Sequence, residues 1–435
     1  MIQRAIYWFR HDCRLEDNPL FHQAVTECHE VLPVFIEDSR LADQTTWGFV
    51  RQAQHNCAFK RHMLMHLRAQ LESQGSVMWQ AHGDSVELLV EWCNELGIQR
   101  VYAETVAAEE EEREIHALRQ RGIEVITLFQ STMIDRTLVK PILTYFPMSF
   151  TRFRQKVEAQ TSRYSAPQLI PLPHLQIAQE WRNSEFAHTL LYTTLHYSLD
   201  PRTSLPVHNG VWLTDSKQVR TYITDDYLKG GYASSYKATR NQLFGTHYSS
   251  KWSVWLAHGI RSARTLMAYV NEFENQSGAN ESTYWLWFEL LWRDYFRFLF
   301  YQRKTNLFLF QGLSTDSSST PPRFNQSYFY AWSHGQTGVD LIDAAMRELS
   351  HTGYLSNRLR QVVASFWLHE YQGNWRVGAS WFESQLLDYD VYSNYGNWLY
   401  IAGKGTDPRG GRHFNIQKQT DEYDPKGYYR EIWLR

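Results

Sequence analysis

The sequence predicts an α/β amino-terminal domain built on a doubly wound parallel sheet, followed by an all-α carboxyl-terminal domain. The chain has 435 residues, more than a single hydrophobic core usually supports. Short apolar runs alternate with helical stretches in the first part, whereas beyond Asp226 the pattern is helical, rich in Trp and Tyr, and without a convincing strand. We therefore divide the chain into an α/β domain at residues 1–130, a connector at 131–226 and a helical domain at 227–435.

Five apolar runs predict the strands of the sheet: Ala5–Phe9, Val31–Ile36, Val77–Gln80, Val101–Ala103 and Val125–Phe129. Helices are expected at Asp84–Leu96, where Asp84 is a good N-cap, and at Glu109–Arg121. Gly97 and Gly122 stand where these helices should end. Strands that alternate with helices favour a parallel sheet with helices on both faces. The dinucleotide fingerprint GxGxxG is absent, so we do not expect an NAD-binding domain.

Prolines punctuate the connector and predict short helices joined by extended chain: Pro167, Pro171, Pro173, Pro201 and Pro206. Within the helical domain, the polar run Ser314–Thr320 predicts an exposed loop.

The bulk composition is that of a soluble intracellular protein, with 43% hydrophobic and 21% charged residues. The net charge is −2, so any charge that binds nucleic acid must be local. The cysteines form no CxxC pair, which indicates neither a metal site nor a redox motif and suits a reducing cytoplasm: Cys13, Cys28, Cys57 and Cys93. No apolar run is long enough to span a membrane, and the strand-like start leaves no room for a signal or transit peptide.

Aromatic residues make up 15% of the chain, including 17 Trp and 26 Tyr. A large helical core explains such abundance unless the rings are organised around polar groups.

Two helical segments carry polar side chains on one face. In YWLWFELLWRDYFRFLFY these are Glu289, Trp292, Arg293 and Arg297; in HTGYLSNRLRQ they are Asn357, Arg360 and Gln361. A salt-bridged core helix also explains the first face, but a glutamate in so apolar a helix is costly unless it is partnered or functional.

Two further segments interrupt the helical pattern. Asp388 and Asp390 in LLDYDVYSNYGNWLY do not fit a regular amphipathic helix, so they either cap a turn or line a polar site. The segment YKATRNQLFGTHYSSKWS offers hydroxyls, backbone N–H groups and the cation of Lys251 ahead of a helix. That combination suits a diphosphate, although a serine-rich N-cap is common.

In this order the segments resemble the photolyase/cryptochrome family, and within it the DASH cryptochrome branch. The resemblance covers nearly the whole chain, through WFRHDCRLEDNPL, FTRFRQKVEAQ, GYASSYKATRNQLFGTHYSSKW, ELLWRDYF, TGYLSNRLRQ, LLDYDVYSNYGNWLY and GTDPRGGRHFNIQKQTDEYDPKGYY. The stretches FRQKVEAQ, YKATRN, NRLRQ and SNYGNWLY favour the DASH branch over the classical bacterial photolyases.

The resemblance implies a non-covalent FAD in the helical domain. Its phosphates would be held by Tyr236, Ser249, Ser250, Lys251, Trp252 and Ser253. Trp292 and Arg293 would line the pocket. The ion pair of Arg360 with Asp388 would lie beside the ring system, Asp390 would hold the same ring edge, and Asn394 would face the reactive ring nitrogen. The protein would supply electrostatics while the flavin carries the electron.

The resemblance also implies light-driven repair of cyclobutane pyrimidine dimers, which must leave the base stack to reach the flavin. Glu289 would hydrogen-bond the dimer, with Asn357 and Arg358 at the pocket edge. Gln361 and Tyr400 match DASH-type residues, which implies weaker stacking of the dimer and a preference for single-stranded DNA. Residues 401–418 carry four cations against one carboxylate, a net of +3, which fits either a loop that approaches DNA or a solvated loop.

Photoreduction in this family runs along a chain of tryptophans. By resemblance Trp398 is nearest the flavin and Trp375 is the middle member, so Trp375→Phe should suppress photoreduction strongly. The outermost position falls on Pro322. Either photoreduction is slow, or the electron passes through another aromatic residue, with Tyr328, Tyr330 and Trp332 as the candidates.

The family's amino-terminal domain holds an antenna, most often methenyltetrahydrofolate. Glu111 and Glu112 lie where folate contacts occur, and Glu112 is the better candidate. Glutamates at a helix N-terminus also match the helix dipole, which explains most of this acidic run.

Two functions therefore stand ahead of a third, a dark flavoprotein oxidoreductase, which has no motif of its own in the sequence. The leading hypothesis is a monomeric lyase that repairs dimers in single-stranded DNA, and the alternative is a blue-light photoreceptor that retains nucleic-acid binding. Glu289 and Asn394 favour the enzyme, as does the chain's end at Arg435, where the photolyase-like core stops.

Overall fold

The computed structural model describes residues 2–160, 175, 179–188, 197–314, 320–407 and 409–435. Three of the connector prolines, Pro167, Pro171 and Pro173, lie outside the described residues, as does the interior of the predicted loop Ser314–Thr320.

Five parallel strands form the amino-terminal sheet in the order β3-β2-β1-β4-β5. They are β1 Ile2–Phe9, β2 Cys28–Asp38, β3 Trp79–Gly83, β4 Arg100–Glu104 and β5 Glu124–Leu128. The helices between them are α1 Pro19–Glu27, α2 Gln54–Ser73, α3 Ser85–Leu96 and α4 Glu109–Gln120. This confirms the predicted doubly wound domain, although α1 and α2 were not predicted individually.

Successive side chains of a strand point to opposite faces, and here each face has its own core. On β1, Tyr7 and Phe9 pack with α1 and α2, whereas Ile6 and Trp8 pack with α3 and α4. Burial on both faces explains why the strands read as continuous apolar runs.

The predicted helix boundaries are confirmed by their caps. The Asp84 side chain accepts hydrogen bonds from the backbone N–H groups of Val86 and Glu87, and Gly97 ends α3 in the left-handed conformation with φ +63°. Gly122 follows α4 with φ +83°. Strand β3 begins two residues later than predicted, because its pairing with β2 starts at Trp79 opposite Val34.

The connector region contains short elements. They are α5 Lys140–Thr144, α6 Phe150–Gln160, α7 Glu185–His188, the hairpin β6 Val207–His208 and β7 Val211–Trp212, α8 Ser216–Thr221 and a π-helix at Tyr222–Leu228.

The carboxyl-terminal part is helical, as predicted. Its helices are α9 Tyr236–Thr239, α10 Ser253–Ala257, α11 Ala263–Ser277, α12 Glu281–Arg303, α13 Gln326–Ser333, α14 Asp340–Thr352, α15 Asn357–His369, α16 Trp375–Gln385, α17 Val391–Ile401, α18 Ile416–Tyr423 and α19 Tyr428–Leu434. Among the described residues, no helix combines the length and apolarity needed to cross a membrane.

Buried polar contacts join the helical part to the segments before it. Asp294, fully buried in α12, accepts hydrogen bonds from the backbone N–H groups of Met133 at 2.9 Å and Ile134 at 2.8 Å. The Tyr392 hydroxyl accepts another from the Ala107 N–H at 2.6 Å. Because a buried donor without a partner is costly, these bonds fix α12 and α17 against the end of the sheet domain.

We predict that Asp294→Ala lowers the free energy of unfolding by roughly 2–4 kcal/mol, because two buried N–H groups lose their acceptor. Urea unfolding measures this. The control is Asp135→Ala, which removes an exposed carboxylate bonded to Thr137 and should cost about 1 kcal/mol or less. Equal losses in the two variants would contradict the assignment.

Candidate active site

A cavity of about 690 Å³ lies among α9, α10, α12, α15 and α17. Its size is that of a small-molecule or cofactor site. Most of the predicted site residues line it: Tyr236, Ser249, Ser250, Lys251, Trp252, Ser253, Glu289, Trp292, Arg293, Asn357, Arg360, Gln361, Asp388, Asp390 and Tyr400.

Helical spacing brings the first group of these residues together. Glu289, Trp292 and Arg293 project from one face of α12, which starts at a capping box formed by Asn280 and Thr283. The N-cap Ser356 starts α15, so its first turns present the predicted face of Asn357, Arg360 and Gln361 to the same cavity.

Asp388 forms the predicted ion pair with Arg360. The Arg360 Nη2 atom lies 3.0 and 2.9 Å from the two carboxylate oxygens, and the Asp388 side chain is 2% exposed. Arg360 also donates from Nε to the Leu355 carbonyl at 2.8 Å. Burial works against the charge of Arg360, but Asp388 outweighs it and raises the guanidinium pKa.

Asp390 both caps a helix and lines the polar site, which were alternatives in the sequence. It accepts from the Ser393 N–H at 2.8 Å at the start of α17 and forms a buried ion pair with Arg297. Burial opposes ionisation of Asp390, but Arg297 and Arg293 outweigh it and hold the carboxyl pKa well below its usual range. Burial, reinforced by the charge of Arg297, lowers the pKa of Arg293 to about 9.

Lys251 is a buried cation in the cavity wall, 2% exposed, with φ +57°. Its Nζ donates to the Tyr354 hydroxyl at 3.1 Å and lies 3.4 Å from the ring centroid of Tyr248. Burial lowers the pKa of its ammonium group. Within the described part of the chain it forms no salt bridge, although the carboxylates of Glu348 and Asp388 lie close enough to offset part of the lowering of its pKa.

Glu289 is held by Arg240, whose Nη1 donates to its Oε1. The glutamate side chain keeps 34% of its surface exposed. Burial raises the pKa of the Glu289 carboxyl, and Arg240 opposes that rise. The aromatic walls near it include Trp292, which stacks on Phe150 at 3.7 Å and meets Tyr400 edge-on at 5.9 Å.

Asn394 lies behind the cavity surface. Its Nδ2 donates to the Ala379 carbonyl at 2.9 Å, while its Oδ1 is buried without a hydrogen-bond partner. An unpaired buried amide oxygen is costly and is typical of a group that meets a ligand. Together with the buried ammonium group of Lys251 in the cavity wall, this orphaned atom fits a bound flavin dinucleotide.

Other predicted residues lie outside the cavity lining. Arg358 sits behind it and donates to Gln361 at 3.4 Å and Asn241 at 3.2 Å. Trp398 and Trp375 are buried, at 2% and 1% exposure. The roles assigned to the site residues by resemblance stay predictions.

Several lining residues were not predicted: Arg240, Trp285, Tyr354, Ser393, Asn397, Arg412, His413 and Phe414. Arg240, Tyr354, Ser393 and Asn397 lie inside motifs that carried the resemblance, so their position in those motifs was the available signal. Arg412 and His413 place the loop at 401–418 beside the cavity. Arg412 pairs with Asp407 at 2.8 Å and donates to the Tyr400 hydroxyl at 2.6 Å.

A second cavity, of about 480 Å³, lies where α4 meets Lys304 and Thr305. Glu112 lines it and forms a salt bridge with Lys304 at 3.2 Å. Glu111 does not line it; burial raises the pKa of its carboxyl.

Comparisons of the sequence and of the structure with known proteins all find photolyases or cryptochromes. Residues 285–435 match the family model for the FAD binding domain of DNA photolyase, and residues 5–174 match the model for DNA photolyase. Cryptochrome DASH of Xenopus laevis is 36% identical, covering 98% of this chain and 81% of the relative. The chloroplastic/mitochondrial cryptochrome DASH of Arabidopsis thaliana is 34% identical, covering 99% and 75%. A crystal structure of Synechocystis cryptochrome superposes with a TM-score of 0.87 at 32% identity, covering 100% of this chain and 89% of that one.

We predict that Lys251→Met weakens FAD binding about tenfold or more, because a buried cation facing the cavity is lost. Flavin fluorescence during titration of the flavin-free protein with FAD measures this. Lys229→Met is the matched control, since Lys229 pairs with Asp225 and neither residue lines the cavity. Equal FAD affinity in the two variants would refute a role for Lys251 in binding.

Proposed function

The chain belongs to the photolyase/cryptochrome family, in its DASH cryptochrome branch, and from this membership we propose that it repairs cyclobutane pyrimidine dimers in single-stranded DNA under light. The observation that carries the proposal is the juxtaposition of Glu289, held by Arg240, with the aromatic walls Trp285 and Trp292 inside the cavity. A receptor needs no hydrogen-bonding carboxyl group where a flipped base would sit.

FAD supplies light-driven one-electron chemistry when it is bound. Lys251 and the hydroxyls of Ser249 and Ser250 suit its phosphates, and the Arg360–Asp388 pair and Asn394 suit the edge of its ring system. The orphaned Oδ1 of Asn394 faces no protein donor, so it is available to orient that edge. Trp398, two helical turns along α17 from Asp390, is the proposed first electron donor among the protein's residues.

The dimer enters by leaving the base stack, which costs a few kcal/mol in a duplex and almost nothing in a single strand. Glu289 hydrogen-bonds the pyrimidine edge, and Trp285, Trp292 and Tyr400 provide aromatic surfaces. Tyr400 is already engaged by Arg412 and stands edge-on to Trp292, so it stacks weakly. Weak stacking favours substrates whose bases are already unpaired.

The cavity rim supports DNA as the partner. Arg412 and His413 lie at the cavity, and Lys404 and Arg409 lie on the same glycine-rich loop. Cations on such a loop position a phosphate backbone without reading sequence. Asn357 and Gln361 then contact the extruded nucleotide at the pocket edge.

The alternative, a blue-light photoreceptor, uses the same flavin site and the same rim. We favour repair because Glu289 is retained in the cavity wall. A methenyltetrahydrofolate antenna at Glu112 and Lys304, a monomeric state and a cytoplasmic location complete the proposal and stay predictions.

We predict that Glu289→Ala lowers dimer repair by up to about tenfold, because one hydrogen bond to the dimer is lost, while FAD content is unchanged. The assay illuminates single-stranded oligonucleotides that carry a thymine dimer and follows dimer loss by chromatography. Glu281→Ala, on the exposed start of the same helix, is the control and should repair normally. Loss of FAD from Glu289→Ala would mean that this residue holds the cofactor instead.

The strand preference is tested with the same dimer in single-stranded and duplex oligonucleotides. Faster repair of the single strand supports the proposal. Flavin binding with no repair of either substrate would favour the photoreceptor.

A further inference from the structure

The structure bears on how an electron reaches the site from the surface. Pro322, the position where the tryptophan chain of the family would end, is exposed and has no aromatic ring. Trp375 stands edge-on to Tyr395 at 6.0 Å, and Tyr395 stands edge-on to Phe308 at 5.0 Å. This series of rings therefore leads to the phenyl ring of Phe308, which gives up an electron much less readily than an indole or a phenol.

A second series of rings leaves Trp398 in another direction. Trp398 lies 6.3 Å from Trp332 between ring centroids, and Trp332 lies 5.2 Å from Trp367. Trp367 lies 6.5 Å from Tyr371, which stacks on Tyr328 at 4.6 Å with an interplanar angle of 17°. Every member is an indole or a phenol, and each step joins rings in contact.

The solvent exposure of these rings increases along the series from Trp332 to Tyr328. Trp332 and Trp367 are buried, and their indole N–H groups donate to the carbonyls of Val363 at 3.1 Å and Asn374 at 2.9 Å. Tyr371 is half-buried, and Tyr328 is 48% exposed. An oxidised phenol loses its proton readily, and the exposed side chain of Tyr328 lies where water can take that proton.

We propose that Trp332, Trp367, Tyr371 and Tyr328 form the electron-transfer route from the surface to Trp398 in this chain. This route replaces the one through Trp375 that the resemblance implies, so Trp367→Phe rather than Trp375→Phe should suppress photoreduction. An electron moves inward from ring to ring to refill Trp398 after it has reduced photoexcited oxidised flavin. The missing electron is thereby transferred outward, ring by ring, until Tyr328 is the oxidised residue. Its hydroxyl releases its proton to water and leaves a neutral phenoxyl radical. An external thiol then transfers a hydrogen atom to that radical and restores the phenol.

Tyr330 provides an internal comparison for Tyr328, because both lie on α13 and Tyr330 is 52% exposed. It stacks on His334 at 4.0 Å, and His334 lies 6.4 Å from Trp381. Among the described residues, Trp381 and Trp332 are linked through the phenyl ring of Phe329, at 5.6 Å and 6.3 Å between ring centroids. An imidazole and a phenyl therefore separate Tyr330 from the route, and we expect it to carry no electron.

The inference rests on the proposed flavin site with Trp398 as its first electron donor, so the experiment tests the role of Trp398 and the route to the surface separately. The FAD-loaded, oxidised protein is illuminated with blue light and a nitroso spin trap, without thiol, and trap adducts are mapped by peptide mass spectrometry. We expect an adduct on Tyr328 that is lost in Tyr328→Phe, Trp367→Phe and Trp398→Phe. It should persist in the matched controls Tyr330→Phe and Trp381→Phe.

A second readout is flavin photoreduction with dithiothreitol as the thiol, followed by absorbance. We expect Tyr328→Phe, which changes only a hydroxyl on an exposed ring, to slow it and Tyr330→Phe to leave it unchanged. A Tyr328 adduct that survives Trp367→Phe, or photoreduction lost in Trp375→Phe but normal in Trp367→Phe, would overturn the route. Photoreduction that is normal in Trp398→Phe would instead overturn the proposed donor next to the flavin.

Discussion

The buried ion pair between Arg297 and Asp390 is the contact on which the rest of the site depends. Removing two charges from water costs several kcal/mol for each ion, so such a pair persists only when its geometry is fixed and its remaining atoms are bonded. Here Asp390 also caps α17 through the Ser393 N–H. The pair therefore sets where α17 begins relative to α12. Because α17 carries Asn394 and Trp398, this one contact sets the position of both relative to α12.

The charged side chains that line the cavity indicate that it binds an anionic ligand. Each lining carboxylate has its own guanidinium: Glu289 with Arg240, Asp388 with Arg360, and Asp390 with Arg297. Lys251 and Arg293 also line it, and among the described residues neither forms a salt bridge. Burial lowers the pKa of both, and the nearby carboxylates offset only part of this cost of holding them charged. An anionic ligand such as a diphosphate removes that cost.

Local periodicity predicted part of the fold and of the site, whereas of the long-range ion pairs at the cavity only that of Arg360 with Asp388 was predicted, through the resemblance. The strands of the sheet and the shared faces of Glu289 with Arg293 and of Asn357 with Arg360 follow from spacings of two, three or four residues. The partners Arg297 and Asp390 are 93 residues apart, and Arg240 and Glu289 are 49 apart. No periodicity relates such pairs. The orphaned oxygen of Asn394 is likewise a property of its surroundings in three dimensions, since only the fold leaves it without a donor.

The aromatic residues show how packing and electron transfer coexist in one core. Trp332 and Trp367 are fully buried, so an apolar side chain of similar size would satisfy packing there. Phe329, which contacts both rings, shows that a phenyl is accepted in the same cluster. An indole adds a polar N–H that has to find an acceptor, and both residues find one in a backbone carbonyl. Packing therefore accounts for large rings at these positions, and under the proposed electron-transfer route the ease of oxidation accounts for indoles in place of phenyls.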